Sequence, residues 1–430
     1  MKSRRLAVCI PTYNRSEIIL EFIEKHIERY LKYGFDIFVY DSSENSDTEN
    51  IVKKGMGQYK SLHFVKIDPS VHSNMKVYNI FKEFGEKLDY EYLWICGDAV
   101  SWSDRVLESV NICINQGYDM IIPNHHDVEK LGDKIYTNVN RFFLDCAWQM
   151  TYYGTTIVKV STVLTDVDWP YLIKKYAVPD SINLSHVAFY FEKISTMRVW
   201  RGIHLSFAES DIIVSSLKKS SGWKQDTFYI WCYCWPTMIN RLPQCYTNKK
   251  KVIRKNGANS LILSYNNLKV LRSENIFNSE IYKQYKNKWH NLTTVPQLSL
   301  WFLSTLPPEA ALDIRGYLKE MQIKNRIKKF CNRFERIYIY GAGLKAKRYT
   351  RYLNEMGLGF EAYMVTGDVD GTETIEGHKV IKFSRDVLND RKAGLLLALN
   401  KENTKEVMKS TLRRVKNRVI FSEFILWRFM

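Results

Sequence analysis

A chain of 430 residues exceeds one ordinary core, so two or three domains are expected, and 45% hydrophobic with 14% aromatic content excludes a disordered chain. The formal net charge of +17 calls for an anionic partner, whether nucleic acid, nucleotide, anionic lipid or a pyrophosphate-linked substrate. The eight cysteines form no zinc-type CxxC pair, and no run of about 18 apolar residues offers a membrane span, so the chain reads as reduced and cytoplasmic.

Residues 5 to about 120 alternate short apolar runs with amphipathic stretches. Leu6 to Ile10 reads as a strand, and Ser16 to Leu31 as one helix with an apolar face at Ile19, Leu20, Ile23, Ile27 and Leu31. Phe35 to Tyr40 is a second strand, Thr48 to Met56 a helix and Leu62 to Ile67 a third strand. Ser73 to Leu88 is helical, with Met75, Val77, Ile80, Phe81 and Phe84 apolar. Tyr92 to Cys96, a helix over Arg105 to Asn115, and Met120 to Pro123 complete the alternation, which predicts a mostly parallel sheet covered on both faces.

Beyond residue 140 the pattern is mixed: a loop entering a strand at Tyr152 to Thr156, a helix over Asn183 to Ile194, a strand over Met197 to Leu205. After Ser220-Ser221-Gly222 the chain reads as helices rich in Trp, Tyr and Lys, with breaks at Pro236, Pro243, Pro296 and Pro307-Pro308. Phe228, Trp231, Trp235 and Met238 form a helical stripe. That stripe either packs on the preceding domain or meets a membrane surface or acceptor lipid, with Lys249, Lys250, Lys251, Arg254 and Lys255 beside it. Near Phe334 a new α/β unit starts, giving expected domains of 1–220, 221–330 and 331–430.

Three apolar runs end in polar loops: Cys9-Ile10-Pro11-Thr12-Tyr13-Asn14-Arg15, Asp41-Ser42-Ser43-Glu44-Asn45-Ser46-Asp47-Thr48, and Tyr92-Leu93-Trp94-Ile95-Cys96-Gly97-Asp98. Such loops meet at the carboxyl edge of an open α/β sheet, where ligands bind. Proline fixes the chain leaving the first strand, Tyr13 can stack on a base, and Arg15 can meet phosphate with a bidentate fork.

These strings and their spacing resemble the nucleotide-sugar domain of family-2 glycosyltransferases of the bacterial glycan-assembly type. The resemblance implies an α/β chain: a GT-A domain with a mostly parallel sheet, a helical middle region and a small Rossmann-like carboxyl-terminal domain. It implies transfer of a hexosyl group from a UDP-sugar donor to a glycan, glycolipid or glycoprotein acceptor, with inversion. On the same footing, Pro11, Thr12, Tyr13 and Arg15 hold uracil and ribose, and Asp41 accepts the uracil N–H. Ser43 belongs to the second turn, and Asn74 and Asn79 lie near the nucleotide and donor sugar, unless Asn74 caps its helix.

The third loop departs from the family, which carries paired aspartates for Mn²⁺ or Mg²⁺. Here Asp98 is followed by Ala99 and Val100, leaving Asp98 as the one candidate for metal or ribose and predicting weakened metal dependence. The family's base, usually a Glu-Asp pair 80–95 residues further on, has no counterpart. The candidates in that window are Asp180, His186 and Glu192, with His204 and Glu209-Ser210-Asp211 beyond it. A lone histidine in an apolar helix also reads as a core residue.

Gly341-Ala342-Gly343 follows a strand and opens a helix in a G-x-G-x-x-A pattern, with Glu361 near the next strand. The unit lacks a second mononucleotide half, so a structural or partner-binding role stands beside NAD binding. The competing functions are an NAD-dependent enzyme and a degenerate, non-catalytic scaffold. Peripheral contact with the inner membrane face and homo-oligomerisation are further partner expectations. No zinc finger or ribonucleoprotein motif accompanies the basic clusters, so nucleic acid is not expected as a partner.

Overall fold

A computed structural model describes residues 4–124, 131–218, 224–370, 372–389 and 392–424; the break expected at Ser220-Ser221-Gly222 lies outside them. The chain divides into two compact units, Met1–Ala311 and Leu312–Met430. Residues 221–311 of the expected helical region thus share a unit with residues 1–220, and residues 312–330 belong to the second.

The first unit starts with β1 (Arg4–Thr12), α1 (Ser16–Lys25), α2 (Ile27–Leu31), β2 (Phe35–Asp41), α3 (Asp47–Gln58), β3 (Leu62–Lys66), α4 (Ser73–Glu86) and β4 (Tyr90–Ile95). There follow β5 (Val100–Trp102), α5 (Asp104–Asn115), β6 (Met120–Pro123), β7 (Lys134–Tyr136), α6 (Val139–Cys146) and β8 (Ile157–Lys159). Then come α7 (Trp169–Tyr176), α8 (Ser185–Thr196), β9 (Gly202–Leu205) and β10 (Ile212–Val214). Eight strands form one sheet in the order β3-β2-β1-β4-β8-β6-β9-β7, whose first four are parallel. This is the α/β class expected from the alternation, with β8 running antiparallel to β4 and β6.

β1 lies between β2 and β4, which is why Leu6 to Ile10 is a continuous apolar run rather than an alternating one. Leu6, Val8 and Ile10 share a core with Ile19 and Phe22 of α1, Ile27 of α2 and Val106 and Val110 of α5. Elsewhere in the sheet, Phe38 meets Phe84 of α4 edge-on, and Phe81 of α4 stacks on Phe189 of α8. The expected single helix 16–31 is two helices. His26 leaves helical geometry (φ −126°) and ends α1, whose buried face runs through Ile18, Ile19, Phe22 and Ile23, with Leu20 exposed. The strand expected over Met197 to Leu205 is confined to β9.

The helical layer comprises α9 (Thr227–Tyr229), a π-helical turn (Ile230–Cys234), α10 (Trp235–Arg241), α11 (Lys249–Asn259), α12 (Tyr265–Ser273), α13 (Ser279–Gln284), α14 (Trp289–Leu292) and α15 (Gln297–Thr305). Pro236 does not break it. The backbone is helical through Cys234 and Trp235, and the π turn just ahead of Pro236 is the local distortion that accommodates its missing N–H. Phe228, Trp231, Trp235 and Met238 are all buried, so the stripe is core and not a membrane face. Phe228, for instance, packs against Phe277 and edge-on to Trp289. Tyrosine hydroxyls tie this layer to the α/β layer: Tyr246 donates to the Phe191 carbonyl at 2.6 Å, Tyr176 to Arg241 at 3.1 Å and Tyr152 to Ser260 at 2.7 Å.

The second unit contains α16 (Ile314–Cys331), β11 (Arg336–Tyr340), α17 (Leu344–Glu355), β12 (Ala362–Val365), β13 (Thr374–Ile375), β14 (His378–Lys382), α18 (Arg385–Asn389), β15 (Ala393–Leu397), α19 (Lys401–Lys409) and β16 (Ile420–Phe421). Its sheet order is β13-β14-β12-β11-β15-β16, parallel from β14 to β16, with an apolar cluster on each face. Gly341 has φ +105°, and a side chain there would press on Leu399 and the Ala398 carbonyl. Seven cysteines are buried and Cys245 is exposed. Among the described residues no helix is long and apolar enough to cross a membrane.

Gly257 of α11 marks a close helix approach: a Cβ there would stand 1.8 Å from the Leu292 carbonyl oxygen. Gly257→Ala is expected to cost about 1–3 kcal/mol of stability, measured by urea unfolding. Gly57→Ala, with no atom within 4 Å, should be neutral or stabilise α3 by up to about 1 kcal/mol. Equal midpoints for the two variants would contradict this packing.

Candidate functional site

The strand order reverses between β1 and β4, and the loops following β1, β2 and β4 converge there. Thr12 at the end of β1 is opposite Asp41 at the end of β2, so the first two loops leave the sheet side by side. The Ser42 amide donates to the Thr12 carbonyl at 3.2 Å, and the Asn14 amide donates to Ser43 Oγ at 2.8 Å. Asn14 is left-handed (φ 52°), a conformation asparagine tolerates, and this turns its amide toward the second loop. Tyr13 is 46% exposed, and its hydroxyl reaches Glu44 at 3.3 Å. Pro11 is the penultimate residue of β1.

The third loop joins through Asp98. One of its carboxylate oxygens accepts the Thr12 hydroxyl at 3.0 Å, and the other accepts Arg15 Nη1 at 2.8 Å. A divalent cation wants several oxygen ligands. Here the single carboxylate is doubly engaged, Ala99 is buried, and Val100 pairs with Val214 in a β-ladder. Among the described residues no group of three His, Cys, Asp or Glu side chains could hold a metal ion. These side chains form no all-protein Mn²⁺ or Mg²⁺ cage, and Asp98 is the one carboxylate of this loop that would join a metal held by a donor diphosphate.

Asp41 is fully buried. One oxygen accepts the Ser43 amide at 2.9 Å and the Ser43 hydroxyl; the other accepts Lys66 Nζ at 3.1 Å. Lys66 also caps the Ser43 carbonyl at 2.7 Å. The carboxylate therefore shapes its own loop, and Lys66, itself exposed, covers one of its oxygens.

Two cations escaped the sequence reading. Lys66 ends β3, and Lys76 lies in α4, two residues after Asn74. Lys76 is buried, bonds Ser42 Oγ, and holds its ammonium 5.6 Å from the Tyr13 ring. Burial lowers its pKa, and Asp41 opposes that shift. Its signal was a lysine four residues before Ile80, inside an apolar helix pattern.

Asn74 is not the helix cap. His72 is, accepting the Asn74 amide at 3.2 Å, while the buried Asn74 side chain accepts the Tyr153 hydroxyl at 3.0 Å; Asn79 is exposed. Tyr153 connects several groups. Its Cβ is the nearest neighbour a side chain at Gly97 would meet, and its ring lies 5.0 Å from that of His186. His186 is buried, its Nε2 3.1 Å from the Met150 carbonyl and its Nδ1 without a partner among the described residues. Burial lowers its pKa to about 4.

Asp180 stands apart from the three loops. Arg241 grips it with a fork, Nη1 to Oδ1 at 2.7 Å and Nη2 to Oδ2 at 2.6 Å, holding its carboxyl below the usual range. Glu192 pairs with Lys175 and accepts the Tyr176 hydroxyl. His204 is buried in β9, with its ring nitrogens against Gln149 and the Gly132 carbonyl. Asp211 accepts Ser103 Oγ at 2.7 Å, next to the start of α5. These partners of Asp180, Glu192, His204 and Asp211 all lie outside the three convergent loops.

A scan of protein-family models finds no match, and neither does a search of curated proteins. Among solved structures, the chain is similar to the mannosyltransferase PcManGT from Pyrobaculum calidifontis, solved with GDP-Man and Mn²⁺: 13% identity, 76% of this chain and 88% of that chain covered, TM-score 0.39. It is also similar to TarS 1-349 of S. aureus, with 14% identity, 87% and 98% covered, TM-score 0.40. A third is glucosyl-3-phosphoglycerate synthase from Mycobacterium tuberculosis with Mn²⁺, UDP and glucosyl-3-phosphoglycerate, with 10% identity, 56% and 81% covered, TM-score 0.36.

The depressed pKa of His186 makes stability depend on pH. The unfolded chain takes up this proton below pH 6.5, whereas the folded chain resists it until about 4. Stability is therefore lost as pH falls from 6.5 toward 4, by on the order of 3 kcal/mol from this residue. Thermal unfolding midpoints should fall more steeply over that range for wild type than for His186→Gln. Parallel curves would contradict the buried, neutral imidazole.

Proposed function

We propose that this chain is an inverting glycosyltransferase that moves a hexosyl group from a UDP-sugar to a glycan, glycolipid or glycoprotein acceptor. The observation carrying this reading is the Thr12–Asp98–Arg15 junction at the strand-order reversal, the place where open α/β sheets bind nucleotides. Around it stand the groups such a donor needs. Tyr13 offers an exposed ring for the base, Asp41 an acceptor for its N–H behind Lys66, and Asn74 with Asp98 hydroxyl partners for the ribose and donor sugar.

Transfer requires the acceptor oxygen to attack the anomeric carbon as the bond to the diphosphate oxygen breaks. The acceptor proton must leave, and negative charge grows on the departing UDP. Arg15 and Lys76 are the fixed positive charges beside the loops, positioned to stabilise that charge without reorganising. The acceptor proton passes to bulk water in this reading, because His186, buried and neutral down to about pH 4, resists it; Tyr153 packs on that ring and bonds Asn74.

Two measurements test the donor assignment. Calorimetry with UDP should show Asp41→Asn binding about ten- to a hundredfold more weakly than wild type, for a charge-assisted hydrogen bond worth roughly 1.5–3 kcal/mol. Asn keeps the side-chain shape that Ser43 needs, and an unchanged affinity would remove Asp41 from base reading. UDP affinity should also persist in chelator, while Arg15→Gln and Lys76→Met each weaken it. Binding that appears only with Mn²⁺ would overturn the cation assignment.

A further inference from the structure

A cavity of about 740 Å³ opens between α7, the turn after it, and the helix carrying the π turn, and none of its lining residues belongs to the three convergent loops. We infer that this cavity binds an acidic sugar, one bearing a carboxylate or phosphate, on the acceptor side of the reaction. Its acceptor role rests on the transferase reading; the binding itself does not.

The cavity is wide open to solvent rather than enclosed. One wall is a pair of tyrosines. Tyr229 and Tyr233 lie one turn apart with rings nearly parallel, centroids 5.5 Å apart and planes 24° apart, and both are exposed. The electron-rich face of such a ring attracts the polarised C–H bonds on one side of a pyranose. The backbone between them leaves the α-helical ladder for the π turn Ile230–Cys234, a distortion that gathers at functional sites. Tyr229 is fixed by donating to the Pro179 carbonyl at 3.2 Å, and Lys288 holds its ammonium 5.6 Å from the Tyr233 ring.

The charge of the cavity selects the ligand. Three cationic side chains, Lys174, Lys175 and Arg241, line it against one carboxylate, Asp180. Arg241 is committed to Asp180, and Lys175 to Glu192 and the Tyr171 hydroxyl. Lys174 is exposed and has no partner among the described residues, leaving a full positive charge for an anionic substituent. The Asp180–Arg241 fork is a compact polar wall whose remaining lone pairs can accept sugar hydroxyls.

The test uses the full-length chain and ligand-observed NMR titrations with glucuronate, glucose 6-phosphate, glucose and inorganic phosphate. The two acidic sugars should bind at least tenfold more tightly than glucose, and glucose 6-phosphate at least tenfold more tightly than phosphate. Tyr233→Ala should weaken both acidic sugars at least fivefold, as should Lys174→Glu, an exposed substitution that leaves the core intact. Neither variant should change UDP affinity. Equal binding of glucose and the acidic sugars, phosphate binding as tightly as glucose 6-phosphate, no binding at all, or no loss in Lys174→Glu would each overturn the inference. Acidic-sugar binding with no UDP binding would sustain the cavity and sink the transferase reading instead.

Discussion

The Asp98 carboxylate takes the Thr12 hydroxyl on one oxygen and the Arg15 guanidinium on the other, closing the gap between the end of β1 and the loop after β4. The Arg15 pair is about one-third exposed, so solvent screening limits its worth, and an ion pair of that kind contributes about 0–1 kcal/mol. The Thr12 bond is better shielded and sits at the end of a central strand. Together they determine what the site can offer: with both oxygens occupied, Asp98 is a structural acceptor first, and positive charge at the reversal comes from side chains. Lys76, buried under the second loop, and Lys66, holding Asp41, continue the same arrangement.

The other organising principle is the buried phenol. Tyr92, Tyr152, Tyr176 and Tyr246 each place a hydroxyl on a backbone carbonyl while their rings pack apolar surface. Three of these bonds join the helical layer to the α/β layer, where a leucine would give contact without direction. This explains how a layer broken by so many prolines shares one compact unit with the eight-stranded sheet. Tyr176 shares its one hydroxyl proton between the Arg241 carbonyl and the Glu192 carboxylate, tying α7 to α10 and α8.

The α/β alternation was legible because a strand buried on both faces is an apolar run, and β1, β2 and β4 are such runs. The polar ends of those strands were legible for the same reason. The details that failed are ones local pattern does not encode. Leu20 fits a helical stripe, but the buried face of α1 lies on the side of Ile18 and Phe22 and leaves Leu20 exposed. The Phe228 to Met238 stripe reads equally as core or surface until Phe277 and Trp289 are seen against it. Within the candidate site, Thr12 and Asp98 are 86 residues apart, and Tyr153 meets Asn74 across 79. Such pairings follow from strand order, which the sequence leaves open; hence Lys66, Lys76 and Tyr153 went unmarked.

Cys245 follows α10, four residues after Arg241, and its carbonyl accepts a hydrogen bond from Asn140 at 2.7 Å. Because the other seven thiols are buried, a maleimide dye applied to the folded chain has one point of attachment. That point lies on the same short stretch as the arginine gripping Asp180. An environment-sensitive label there would report on the stretch that follows Arg241, in the unaltered sequence.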